Sequence, residues 1–248
     1  MIELLVLGGL ILAMILASEV GFRAGCRSKM GADDRSQVGV LQGAMLGLLG
    51  LLLGFAFSGA TSRFMERQQV IVGEANAMGT AFLRADLLPE ATAAELRTHL
   101  RAYADKRIEL FRETGLSESR QLHAELAGMH AKLWEAGRAG VAAKPEVTMA
   151  VLPPINEVID LLGTRNAMTR LHMPWSVVAV LVAAAAIAMG TIGYGSGLVK
   201  RRPRALAMSF AALIGIVMWV TMDLDYPRVG LIQLSEQPLV DAREAMGM

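Results

Sequence analysis

The side chains best suited to chemistry in this 248-residue chain are few and poorly spaced for it. His123 and His130 lie seven residues apart on one helical pattern, which separates them by about 10 Å along the axis, too far to share a metal ion. His99 and His172 stand alone, and Cys26 is the sole cysteine, so no disulfide framework and no thiolate metal site can form within one chain. No Gly-x-Ser-x-Gly, His-Glu-x-x-His or Walker-type loop occurs. No catalytic residue, metal or cofactor is assigned, and the chain is not expected to be an enzyme. Glu74, Asn76 and Arg84 cluster in one stretch, but Glu74 and Arg84 are ten residues apart and cannot pair as neighbours on one helix. They are expected to act as polar ties to other helices that fix helix register.

The chemistry that remains is physical rather than covalent, and it is carried by the elements. Hydrophobic residues make up 54% of the chain and charged residues 19%, against about 25% charged in an ordinary globule. Four apolar spans, Ile2–Phe22, Val38–Ala60, Trp175–Val199 and Ala205–Met222, hold only two charged residues, Glu3 and Glu19, both near span ends. Each is long enough to cross roughly 30 Å of hydrocarbon, and a charge at mid-span would cost about 3 kcal/mol. The expected fold is all-α: four transmembrane helices, the second continuing into a helical extramembrane domain. Trp175 and Trp219, near span ends, suit interfacial anchors. Met1-Ile2-Glu3 lacks the basic start of a signal peptide, so the first span reads as a retained helix. A formal net charge of +1 with no aromatic-studded basic stripe argues against a nucleic-acid binder.

The expected boundaries are residues 1–61 for the first two spans, 62–174 for the extramembrane domain, 175–222 for the last two spans and 223–248 for a tail. Arg23–Ser36 and Lys200–Arg204 are the connections between paired spans. Between Ala60 and Pro89 no proline interrupts the second span, so Val38–Leu88 is expected as one helix of roughly 75 Å. Glu90–Thr114, stopped by Gly115, and Ser117–Ala142, with Leu122, Leu126, Met129 and Leu133 on one face, are further helices. Pro153-Pro154 is expected to break or sharply kink the segment that follows Pro145. Pro227, Gly230 and Pro238 point to a partly extended tail. The two short connections carry eight of the 24 basic residues, so the positive-inside rule favours placing them in the cytoplasm and the middle domain outside it.

Two faces of the second span stand out. Gly43, Gly47, Gly50 and Gly54 fall within about 60° of one another, a small-residue stripe suited to close helix packing. About a quarter-turn away lie Ala44, Leu48, Leu51, Phe55 and Ser62, continued by Glu66, Gln69, Gly73 and Thr80. A face that passes from bulky apolar to polar suits a helix interface leaving the membrane. It equally suits a pore wall with an apolar constriction opening into a wet vestibule.

Leu51-Leu52-Leu53-Gly54-Phe55-Ala56-Phe57-Ser58, followed by Ser62-Arg63-Phe64, resembles the second transmembrane helix of the bestrophins. The stretch from Gly73 to Pro89, GEANAMGTAFLRADLLP, resembles the hallmark of the bestrophin-like domain family of bacterial membrane proteins, and Asp223-Leu224-Asp225-Tyr226-Pro227-Arg228-Val229-Gly230 resembles that family's ending. The resemblance covers most of the chain from Gln37 onward. It implies a passive ion channel in the bacterial inner membrane, with anions favoured over cations, assembled as a homo-oligomer and, as in true bestrophins, a pentamer. Its partners are then the lipid bilayer, copies of itself and inorganic ions. The constriction falls on Gly47, Leu51 and Phe55, with Ser62, Glu66 and Gln69 in the vestibule. Gly47 departs from the bulky apolar pattern, and Phe64-Met65 stands where an aromatic pair is expected. Asp223 and Asp225 are too few to replace the animal calcium cluster, so no calcium gating is expected. A ring of Glu66 carboxylates would favour cations, and Arg63 and Arg67 beside it would offset that field. The resemblance also places the large domain in the cytoplasm, against the charge count. The alternative function is a non-conducting membrane scaffold or sensor whose helical domain binds a partner. An active transporter ranks third, because no mid-span ionisable residue offers a coupling site.

Overall fold

The computed structural model describes residues 2–29, 31–112, 116–227 and 230–247, without the side chains of 2–4, 32–34, 116–120 and 123. Gly115, Arg228, Val229 and the side chain of His123, all singled out above, lie outside that set. Eight α-helices follow in order among the described residues: α1 Ile2–Arg27, α2 Ala32–Arg84, α3 Glu90–Arg112, α4 Leu116–Ala143, α5 Thr148–Met168, α6 Trp175–Leu198, α7 Arg204–Asp225 and α8 Gln237–Ala245. No strand occurs among them. Helices α1, α2, α6 and α7 are long and apolar enough to cross a membrane.

The chain divides into two compact units, Met1–Phe64 with His172–Gln233, and Met65–Leu171 with Leu234–Met248. In the membrane unit, α1 and α6 approach backbone to backbone. A methyl group built on Gly21 would collide with the Gly190 carbonyl, and one on Gly193 with the Ser18 carbonyl. Gly25 and Gly197 repeat the pattern further along. Without a water-driven force between helices in lipid, close van der Waals approach is what holds them, and only glycine permits it here. Leu49, Leu53 and Ala56 of α2 join Leu181, Ala185 and Ala188 of α6 and Ala211 and Ile214 of α7 in the core of this unit.

In the second unit, Ile71, Ala75 and Met78 of α2 pack with Leu96 and Leu100 of α3, Leu126 and Leu133 of α4, Ile155 of α5 and Leu239 of α8. The 3.6-residue spacing of these positions is why the segments are helices: each buries one apolar stripe and leaves the rest to water.

Two expectations about elements are corrected. First, the helix after Pro145 does not break at Pro153-Pro154; α5 runs through both. Each proline lacks one N–H, so the carbonyls of Met149 and Ala150 lose their i+4 donors. The Ala150 carbonyl is resupplied, since Arg84 Nη1 donates to it at 2.8 Å. Second, Arg23–Ser36 is mostly helical, with α1 ending at Arg27 and α2 starting at Ala32. The tail is non-helical in part, as its prolines suggest, since among the described residues 226–227 and 230–236 lie outside α7 and α8. Asp223 and Asp225 belong to α7, and Pro238 sits in the first turn of α8, where its missing N–H would be unpaired anyway.

Candidate functional site: the faces of helix α2

Helix α2 presents its residues by angle. In the membrane unit Leu49, Leu53, Ala56 and Ala60 are buried. About 140° round the helix from them, Leu48, Leu51 and Phe55 are 57%, 54% and 67% exposed. Ser62 is exposed on the same side. The glycine stripe forms a third face, and a methyl built on Gly43, Gly47, Gly50 or Gly54 meets nothing within 4 Å. Within one chain the close backbone approach at glycines is that of α1 and α6. Gly47, Gly50 and Gly54 line an open apolar groove of about 780 Å³ with Phe210, Leu213, Ile214 and Val217 of α7.

Where α2 meets α7 within this unit, an ion pair fixes it. Arg63 Nε donates to Asp225 Oδ1 at 2.8 Å, and the Met173 backbone N–H donates to Asp225 Oδ2 at 2.7 Å. His172 lies over Tyr226 with ring centroids 4.3 Å apart, its Nδ1 3.0 Å from the Asp225 carbonyl oxygen. Asp223 accepts the backbone N–H groups of Leu231 and Ile232. Both tail aspartates are therefore spent on protein donors. His/Cys/Asp/Glu groups of three or more that could hold a metal are absent among the described residues.

In the second unit, Glu66 and Gln69 are exposed on α2. Arg67 is buried and turns toward the end of α5, where its Nη2 donates to the Leu171 carbonyl at 2.6 Å. Glu74 is fully buried. Its carboxylate takes two hydrogen bonds of 2.6 Å from Arg107 Nε and Nη2, and a third of 2.8 Å from the Tyr103 hydroxyl. Arg107 is equally buried, and its Nη1 has no partner among the described residues. Burial pushes the guanidinium pKa down, but the hydrogen bonds and charge of Glu74 outweigh it and leave it raised. Burial, reinforced by the Glu74 charge, holds the Tyr103 phenol well above its ordinary range. Glu74 thus ties α2 to α3, and Arg84 ties α2 to α5. Asn76 is exposed.

Sequence reasoning passed over Arg107 and Tyr103 as partners of Glu74. The signal was present: Leu96, Leu100, Tyr103, Arg107 and Leu110 fall at i, i+4, i+7, i+11 and i+14, and all are buried. A lone arginine on an apolar stripe demands an acid opposite it.

His130 extends this cluster. Its Nε2 lies 3.2 Å from the Tyr103 hydroxyl. That hydroxyl spends its proton on Glu74, so the neutral ring carries its own proton on Nε2. Burial lowers the His130 pKa below 6.5, against the pull of Glu74. A histidine whose folded pKa is depressed gives stability that is complete above its unfolded value and is lost as pH falls through it. Thermal unfolding of the full chain is therefore expected to shift to lower temperature below about pH 6.5, and His130→Phe is expected to flatten part of that slope. An unchanged slope in the variant would remove His130 as its source.

These features define a multi-pass, all-helical membrane protein with an extended second helix. The bestrophin-like domain family matches residues 9–239, and the chain belongs to that family. A singly mutated bacterial bestrophin homologue from Klebsiella pneumoniae is similar with a TM-score of 0.67 at 13% identity, covering 99% of this chain and 98% of that one. A zinc-phased structure of the Klebsiella pneumoniae homologue gives 0.65 at 15% identity, covering 98% and 96%. At such identity the likeness is one of fold. No curated protein matches the sequence.

Proposed function

We propose that the chain assembles as a homo-oligomeric, passive, bestrophin-like ion channel in the bacterial inner membrane, pentameric and carrying anions in preference to cations. The pore is walled by α2 helices, with Gly47, Leu51 and Phe55 at the constriction and Ser62, Glu66 and Gln69 in the vestibule. Glu74, Asn76 and Arg84 serve helix register rather than conduction, and the chain is not an enzyme. The observation that carries this reading is the exposed row Leu48, Leu51 and Phe55, on the side of α2 away from Leu49, Leu53 and Ala56, which it buries in its own unit's core. Bulky apolar side chains presented by a helix buried on its other side suit a dewetting gate once copies surround an axis. The same row fits the second reading, a scaffold or sensor, only if a partner covers it.

Ion flux through purified protein in liposomes tests the reading, wild type beside Phe55→Ala. The variant is expected to pass more ions with less discrimination, because truncating one apolar ring lowers the cost of wetting the constriction. Reversal potentials then give the ion. No flux from well-reconstituted wild-type oligomer, at several pH and salt conditions, would favour the scaffold. A monomer in detergent would sink the pore.

A further inference from the structure

The charges at the ends of the membrane unit are divided unevenly, and the tertiary packing makes the division sharper than the sequence does. Helices α1 and α6 run parallel, Gly21 against Gly190 and Gly25 against Tyr194 and Gly197. The turn after α1 and the turn after α6 therefore reach the same end. Tyr194 Oη lies 3.1 Å from Ser28 Oγ, and the Arg202 guanidinium lies 4.1 Å from the Phe22 ring centroid. Residues 19–36 and 199–204 together carry eight basic side chains against Glu19, Asp33 and Asp34. All eight basic residues are exposed. Among the described residues Glu19 pairs with Arg23 and Arg202, while Arg27, Lys29, Arg35, Lys200, Arg201 and Arg204 make no ion pair. Among the described residues the opposite end of these helices holds Glu3, Asp223 and Asp225 against Arg63, and there Arg63 is already paired with Asp225.

We infer that the end of the membrane unit formed by the α1–α2 and α6–α7 turns is a docking surface for anionic phospholipid headgroups. The group recognised is the singly charged phosphodiester. The cations stand directly on apolar spans, which places them at headgroup level, where such phosphates are already concentrated. They are spread over two turns rather than gathered in a pocket, so they suit several separate monoanions and not one multiply charged oxyanion. Arg202 lying on Phe22 shows how a long basic side chain can rest its body on the apolar span and leave its polar edge outward.

The test uses the full chain in bilayers that contain spin-labelled phosphatidylglycerol or spin-labelled phosphatidylcholine, reading the fraction of each held at the protein. Wild type is expected to prefer phosphatidylglycerol by roughly fivefold at low salt, since one basic residue near the surface contributes about that factor. The preference should shrink as salt rises. Arg27→Gln/Lys29→Gln/Lys200→Gln/Arg201→Gln should bring it close to parity, and Arg27→Lys/Arg201→Lys should keep it. If the fourfold variant does not fold, the salt series on wild type decides. Equal association of both lipids with wild type, a preference that ignores salt, or one that survives the fourfold variant would overturn the inference. So would loss of the preference on adding millimolar inorganic phosphate, which would show that a free anion is what the surface recognises.

Discussion

Arg107→Met is expected to lower the thermal unfolding temperature of the full chain by roughly 10 °C. Glu74 and Arg107 are each fully buried and paired by two hydrogen bonds of 2.6 Å. Removing one partner leaves an uncompensated charge in a dry site, which costs about 3–5 kcal/mol. At about 2–4 °C per kcal/mol for a chain of this size, a shift of that order follows. Glu74→Leu should fall in the same range, because it strands the guanidinium and frees the Tyr103 hydroxyl. The double variant Glu74→Leu/Arg107→Met should recover most of the loss, since a buried pair can be exchanged for well-packed apolar groups at little net cost. Unfolding followed in detergent on all three variants gives the coupling directly. Additive losses in the double variant would mean that the two side chains do not depend on one another.

Gly193→Leu is expected to abolish the folded membrane unit, and Gly193→Ala to weaken it by several kcal/mol. Even a Cβ at this position lands on the Ser18 carbonyl and Cα, both backbone atoms, so relief requires α1 and α6 to separate. Overpacking against side chains costs about 1–3 kcal/mol, and here no side chain can swing aside. Gly50→Ala supplies the contrast. A methyl there meets nothing within 4 Å, and alanine is the better helix former by about 1 kcal/mol, so the fold of the chain should be unharmed. Yield and melting of detergent-purified protein check both. If Gly50→Ala leaves melting unchanged but alters the oligomeric mass, the α2 stripe is an interface between copies. If Gly193→Ala melts like wild type, the α1–α6 approach is looser than described.

The four spans, the all-helical class and the unbroken passage of α2 beyond its apolar stretch were legible in the sequence. Each rests on local facts: the absence of charge over some twenty residues, the absence of proline between Ala60 and Pro89, and apolar residues recurring with the helical period. The resemblance of residues 73–89 named the family, and the match over residues 9–239 shows it. That α5 runs through its two prolines is not legible in the sequence, because a propensity acts on one segment, whereas the donor that meets the Ala150 carbonyl comes from Arg84 on another. The choice among glycines was hidden for a similar reason. Gly43, Gly47, Gly50 and Gly54 make the more regular stripe, but the sequence does not say which helix lies beside it.

Periodicity and charge thus determined what each segment is and which of its faces are apolar, because those properties depend only on neighbours along the chain. The tertiary structure alone decided partners. It set Arg107 against Glu74, Asp225 against Arg63, and α1 against α6 through Gly21, Gly25, Gly190, Gly193 and Gly197. Such pairings join residues from about thirty to well over a hundred positions apart, and the energy that selects them, close van der Waals approach or a buried charge matched, exists only once the helices have met.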